Sequence, residues 1–120
     1  MRRVGTTNPE LTGLIRLLRK KSRENEAKIW RDLARRLSSS RRRRITVNVS
    51  RLNRYTQKRE AVVVAGKVLG AGKIDHPVSV AAFAFSNRAK LKILEAKGKC
   101  LSIPDLVKKN PKGTGVKILG

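Results

Sequence analysis

Thirty lysine and arginine side chains share this chain of 120 residues with eight aspartates and glutamates, leaving a formal charge of +22. So much like charge opposes its own folding, because self-repulsion grows as a chain becomes compact. Any fold it adopts must keep the cations outside a modest apolar core, and it makes physical sense beside a polyanion: nucleic acid, an anionic membrane or an acidic protein. The distribution of charge helps to choose. Fifteen of the sixteen arginines lie in residues 1–59, and ten of the fourteen lysines lie beyond residue 60. Arginine offers a planar fork that matches phosphate oxygens in two directions, whereas lysine is a hydrated point charge. An arginine-heavy first half favours phosphate recognition, and nucleic acid leads.

The chain has the length of one domain. Apolar residues make up 39% of it, enough for a modest core and too regularly placed for disorder. No apolar run approaches the roughly 20 residues that span a bilayer. Met1-Arg2-Arg3-Val4-Gly5 is basic but lacks the apolar stretch and small-residue cleavage site of a secretory signal. Cys100 is the single cysteine, so neither an internal disulfide nor a cysteine zinc site can form. A cytoplasmic protein is the simplest expectation.

Residues 1–7 read as a flexible basic leader, and 8–120 as one domain. Asn8-Pro9-Glu10 is a helix start, with Leu11, Leu14, Ile15 and Leu18 as one apolar stripe. A second helix is expected from Ser22–Asn25, with Glu24 and Glu26 at its positive end and Ile29, Trp30, Leu33, Ala34 and Leu37 on its apolar face. Together residues 8–37 form a helical hairpin. Ser38-Ser39-Ser40 and Arg41 to Arg44 break the pattern as a basic loop over 38–44, and 45–120 follows as an α/β core.

In that core the period changes. Ile45, Val47 and Val49 alternate with polar residues as a half-buried strand, and Ser50 is expected to cap a short helix carrying Leu52 and Tyr55. Ala61 to Val64 is a β-branched run, followed by a loop-rich stretch punctuated by Gly66, Gly70 and Gly72. The uncharged run Val78 to Phe85 reads as a strand covered on both faces. Ser86 is placed to cap a helix over 88–97 with Gly98 as its C-terminal cap. Cys100-Leu101 is a short strand, Ser102 to Asp105 has capping-box spacing, and Val116 and Ile118 suggest a last strand. Such strand–helix–strand connections prefer parallel, right-handed arrangements. The class is α/β with a helical N-terminal attachment.

No catalytic constellation can be assembled. His76 is the only histidine and lies in a loop beside Pro77, Cys100 reads as a small core residue, and the eight acids are scattered at helix ends and ion-pair spacings. Gly66-Lys67-Val68-Leu69-Gly70-Ala71-Gly72-Lys73-Ile74 is close to a phosphate-cradling loop. Its glycines are spaced wrongly for a Walker sequence, however, and Ile74 stands where a magnesium-binding hydroxyl belongs. Glycines that let backbone approach a nucleic-acid phosphate, assisted by Lys67 and Lys73, fit better. Arg41 to Arg44 could be a solvated tether or localisation signal, but basic residues recur on nearly every element. Charge spread over many elements implies contact on several sides, as with surrounding RNA, whereas a sequence reader concentrates contacts on one element. Four aromatics, three of them in apolar patterns, count against base stacking on exposed rings. Folded RNA held through phosphates and shape is the leading reading. A DNA-compacting protein and an enzyme acting on RNA stay open beside it.

Lys28-Ile29-Trp30, Val47-Asn48-Val49-Ser50-Arg51-Leu52-Asn53-Arg54, the glycine segment 66–74, Ala82 to Ala89 with Phe85-Ser86, and Asn110-Pro111-Lys112-Gly113-Thr114-Gly115 together resemble successive blocks of one family. It is the archaeal and eukaryotic large-subunit ribosomal protein eighteen family, kin to large-subunit ribosomal protein fifteen, and the chain's length resembles the archaeal branch. The resemblance runs from about Asn8 to the C-terminus; Ala65 stands where the family often has proline. It implies an irregular β-β-α superhelix of the α/β class and a structural, non-catalytic constituent of the large subunit with no cofactor. The implied partners are large-subunit ribosomal RNA and neighbouring ribosomal proteins, with no membrane, small-molecule substrate or homo-oligomer. Carried onto this chain, the implied RNA contacts are Arg2, Arg3, Lys20, Lys21, Arg41, Arg42, Arg43, Arg44, Arg51, Arg54, Lys67, Lys73 and Lys112.

Overall fold

Apolar spacing sets the order of elements in the computed structural model, which describes residues 9–39 and 45–119. Helices α1 (Pro9–Asn25) and α2 (Lys28–Ser39) precede a succession of β1 (Thr46–Asn48), α3 (Val49–Tyr55), β2 (Ala61–Leu69), β3 (Ser79–Phe85), α4 (Asn87–Glu95), β4 (Lys99–Ser102), α5 (Ile103–Lys109) and β5 (Val116–Leu119). All strand pairings are parallel, as the crossover connections require. Strand β3 takes one edge of β2 along most of its length. The other edge is shared end to end, β5 pairing with Ala61 to Val64 and β1 with Lys67 to Leu69. The sheet is thus α/β with an N-terminal helical pair.

Alternation along β2 assigns the two faces. Val63 and Ala65 turn toward α1, α2 and α5, where Leu14, Leu18, Trp30, Leu33 and Leu37 are buried. Val62, Val64 and Val68 turn the other way, into a second core with Leu52 of α3 and Ala89 and Ile93 of α4. The charge-free run in β3 follows from this sandwich: Val80, Ala81 and Ala82 are buried between layers. The hairpin is fastened to the far end of the chain, because the Trp30 indole Nε1 donates to the Pro111 carbonyl at 2.7 Å.

Several boundaries differ from expectation. Helix α1 runs through Glu24 to Asn25, so Glu24 closes the first helix instead of opening the second. Glu26 takes the left-handed turn between them (φ 51°), and the Ala27 amide closes back on the Ser22 carbonyl at 3.0 Å. That closure satisfies a helix-end carbonyl without glycine. Ser50 lies inside α3; Asn48 holds the N-cap position, and its side chain reaches the Ala71 amide instead. Strand β2 continues through Gly66 to Leu69, where a loop was expected. Its register against β3 slips between Val64 and Lys67 as a bulge, and a Cβ on Gly66 would sit on the Ile45 carbonyl oxygen. Helix α4 ends on Ala96 with Lys97, not Gly98, in the left-handed region (φ 67°). Gly98 is needed for a different reason: a Cβ there would meet the Val78 carbonyl. Ser86 and Ser102 cap α4 and α5 as read, accepting from Ala89 and Asp105 amides at 3.1 and 3.2 Å.

Candidate nucleic-acid interface

Because β1, β3 and β4 run directly into α3, α4 and α5, three helix starts lie at the carboxyl ends of the strands. That is the edge at which open parallel sheets present ligand sites. The glycine segment after β2 is locked onto it from two sides. The Asn48 side-chain oxygen accepts from the Ala71 amide at 3.2 Å, and the Ser50 amide donates to the Ala71 carbonyl at 3.2 Å. Asn53 accepts from the Asp75 amide at 3.2 Å. On the other side, the Lys92 ammonium of α4 donates to the carbonyls of Gly70 and Gly72 at 2.6 and 2.5 Å. Close approach needs glycine here: a Cβ on Gly70 would meet Arg88, and one on Gly72, which has φ 93°, would meet Ser50.

This clamp brings Arg51, Arg54 and Lys73 to one region. Arg51 and Arg54 are exposed on α3, where Leu52 is buried, and Lys73 is exposed on the loop that Ala71 and Asp75 tie to that helix. The Arg51 guanidinium lies 5.7 Å above the Tyr55 ring, which is half exposed. Lys67 is exposed but does not join the group. Its neighbour Val68 enters the α3/α4 core, so alternation puts Lys67 on the opposite face of the sheet, between Thr46 and Ala84.

A second cluster forms where the hairpin turns. Glu24 receives Lys21 at 3.1 Å and Lys20 at 4.0 Å, and the Lys112 ammonium donates to the Asn25 carbonyl at 3.2 Å. The hydrogen bond from Lys21 holds the Glu24 carboxyl below its usual pKa. Glu24 and the turn residue Glu26 stand beside Lys20, Lys21 and Lys112, so cations still outnumber carboxylates at this end. Arg2, Arg3, Arg41, Arg42, Arg43 and Arg44 lie outside the described residues.

Lys92 and Arg88 were missed by sequence reasoning. Lysines at this spacing on a short helix look like ordinary solvated charge, and only the fold shows that Lys92 bridges two loop carbonyls. The groups with nucleophilic or acid–base potential are occupied otherwise. His76 contacts the Thr56 hydroxyl at 2.8 Å and Asp75 at 3.2 Å. Cys100 packs against the α3/α4 core, and burial pushes its thiol pKa up. Among the described residues no three His, Cys, Asp or Glu side chains gather as metal ligands, and no helix is long and apolar enough to cross a membrane.

The family described as ribosomal protein 60S L18 and 50S L18e matches residues 1–120. The large ribosomal subunit protein eL18 of Methanoregula boonei is 55% identical over 118 residues, covering 98% of each chain. Its counterpart from Methanospirillum hungatei is 52% identical over 118 residues, again 98% of each. That of Archaeoglobus fulgidus is 49% identical over 113 residues, 94% of this chain and 97% of its own.

Proposed function

We infer function from one premise: the chain belongs to the family of ribosomal proteins 60S L18 and 50S L18e, a structural and non-enzymatic family. Its role is that of a structural constituent of the large ribosomal subunit, working in the cytoplasm as part of the ribosome. It binds and stabilises folded large-subunit ribosomal RNA through phosphates and shape, beside neighbouring ribosomal proteins, and supports translation without catalysis. Residues 8–120 act as one ribosomal-protein domain, a reading supported by the ties from Trp30 to Pro111 and from Lys112 to Asn25.

The observation that carries RNA binding is the clamped loop at the strand ends. Arg51, Arg54 and Lys73 emerge from backbone that is already fixed by Asn48, Asn53 and Lys92, so little ordering is left to oppose phosphate binding. The Arg51 and Arg54 guanidiniums suit bidentate phosphate contacts, and Lys73 adds a point charge. Lys20, Lys21 and Lys112 form a separate contact at the hairpin turn, and Lys67 reaches RNA from the other face. Contacts on opposite sides suit a protein enclosed by folded RNA. The leader arginines and Arg41 to Arg44 extend that set.

The test is salt-dependent binding of a folded large-subunit RNA fragment. Replacing Arg51, Arg54 and Lys73 with serine is expected to weaken binding and to lower the slope of log affinity against log salt by about 2–3, roughly one for each phosphate no longer neutralised. An unchanged slope would remove these residues from the interface. In lysate, the native protein is expected to sediment with large subunits through moderate salt.

A further inference from the structure

A groove of about 880 Å³ lies between α2 and the strand β5, outside both clusters described above. Five cations border it: Arg19 from α1, and Lys28, Arg31, Arg35 and Arg36 from α2. Lys28, Arg31 and Arg35 recur at i, i+3 and i+7, one stripe of the helix opposite buried Leu33 and Leu37. Asp32 is the single carboxylate in the lining. Its two oxygens already face Arg35 at 3.0 Å and Arg36 at 3.6 Å. Arg19, Lys28 and Arg31 have no carboxylate partner among the described residues. The groove therefore carries a large excess of positive charge with no acid left to offset it.

The rest of the lining is apolar. Ile29, Val116 and Ile118 are each partly buried, and all three pack against the hairpin core. A row of phosphates alone would gain nothing from such a surface. A nucleobase would, because it has an apolar face to remove from water and a phosphate on either side for the cations. Aromatic rings are absent from the lining, but guanidinium planes also stack on bases. From Lys28 to Arg35 the stripe measures about 10 Å along the helix axis, the rise of about three stacked nucleotides at roughly 3.4 Å each.

We propose that this groove binds unpaired nucleotides of RNA, a bulged or looped segment whose bases rest on Ile29, Val116 and Ile118 and whose phosphates meet Arg19, Lys28 and Arg31. The proposal rests on the reading that the chain binds large-subunit RNA, and adds to it contact with bases in a chain otherwise read as holding phosphates and shape.

The experiment uses the full chain with isotopically labelled isoleucine methyl groups, titrated with an oligoadenylate hexamer and, separately, with inorganic polyphosphate. Ring currents from bound adenines are expected to move the Ile29 and Ile118 methyls with the hexamer, and polyphosphate is expected to leave them nearly still. Lys28→Ser/Arg31→Ser is expected to weaken hexamer binding at least tenfold while preserving the methyl pattern of the free protein. Identical shifts from both ligands would reduce the groove to a phosphate contact and overturn the proposal. So would hexamer binding that leaves both methyls unmoved. Binding of a folded large-subunit RNA fragment is measured in parallel. If that binding holds while the methyls stay silent, the groove proposal alone fails; if it is absent, the underlying reading fails as well.

Discussion

Two glycines show how one atom can carry opposite signs in the same protein. Gly66 sits in the bulge of β2, where an added Cβ would land on the Ile45 carbonyl oxygen. Backbone cannot swing aside as a side-chain tip can, and the Lys67 amide is bonded to that same carbonyl at 3.0 Å. Gly13 lies on the exposed side of α1, with nothing within 4 Å of an added Cβ. Gly66→Ala is therefore expected to destabilise by about 3 kcal/mol, the upper part of the overpacking range. Gly13→Ala is expected to stabilise by about 0.5–1 kcal/mol, because the unfolded chain loses freedom and the helix loses nothing. Urea unfolding of the two variants checks both. Equal effects would mean that the bulge can relax away from Ile45.

The clamp on the glycine loop belongs to the scale of elements, because it ties α3 and α4 to the end of β2. Lys92 is half-buried and bridges the carbonyls of Gly70 and Gly72, the first of which belongs to a buried residue. Lys92→Met keeps most of the unbranched apolar stem and removes the donor, leaving those carbonyls to find water or go unmet. The expected cost is about 2 kcal/mol, within the usual penalty for an unsatisfied buried group. The sharper readout is local: amide exchange at Ala71 should accelerate well beyond that in the β2–β3 ladder. RNA affinity should fall although Lys92 itself contributes little exposed charge. Uniform acceleration through the sheet would mean that the lysine supports the whole fold and not the loop.

How much of this was legible follows from where the information resides. Strand β3 and the caps Ser86 and Ser102 were readable because burial on both faces and capping are local signals. The extension of β2 through Gly66 was not, since a glycine in a bulge and a glycine in a loop look alike until Ile45 is placed against it. The turn at Glu26 was missed for a related reason: a non-glycine residue held at positive φ is fixed by its surroundings and not by its own preference. Among the site residues, Arg51, Arg54 and Lys73 could be selected on charge and resemblance, but their convergence depends on Asn48 and Asn53 reaching Ala71 and Asp75, contacts 22–23 residues apart. The α2 groove was hidden for the opposite reason. Its cations were visible in the sequence, but the apolar strand that floors it comes from the last residues of the chain.

For the whole molecule, the net charge of +22 is a cost borne before any partner arrives. The lysine and arginine ion pairs of Glu24, Asp32 and Glu60 lie at or near the surface. They cannot neutralise thirty cations with eight acids. At about 10 mM salt the screening length is about 30 Å, comparable with the middle dimension of a body measuring 44 × 31 × 18 Å. Every cation then feels most of the others. At about 0.5 M chloride the range contracts to a few ångströms, leaving only near neighbours in contact. The free protein is therefore expected to melt several degrees higher at about 0.5 M sodium chloride than at about 10 mM. Its affinity for folded RNA should move the other way, falling about a thousandfold between roughly 50 and 200 mM salt if about six phosphates are engaged. Thermal unfolding and RNA titration across one salt series test both arms on the same sample. Opposite trends would identify one set of cations as the source of both self-repulsion and RNA affinity. A melting temperature that is flat while affinity falls would mean that the fold already spaces its cations widely enough to escape the repulsion.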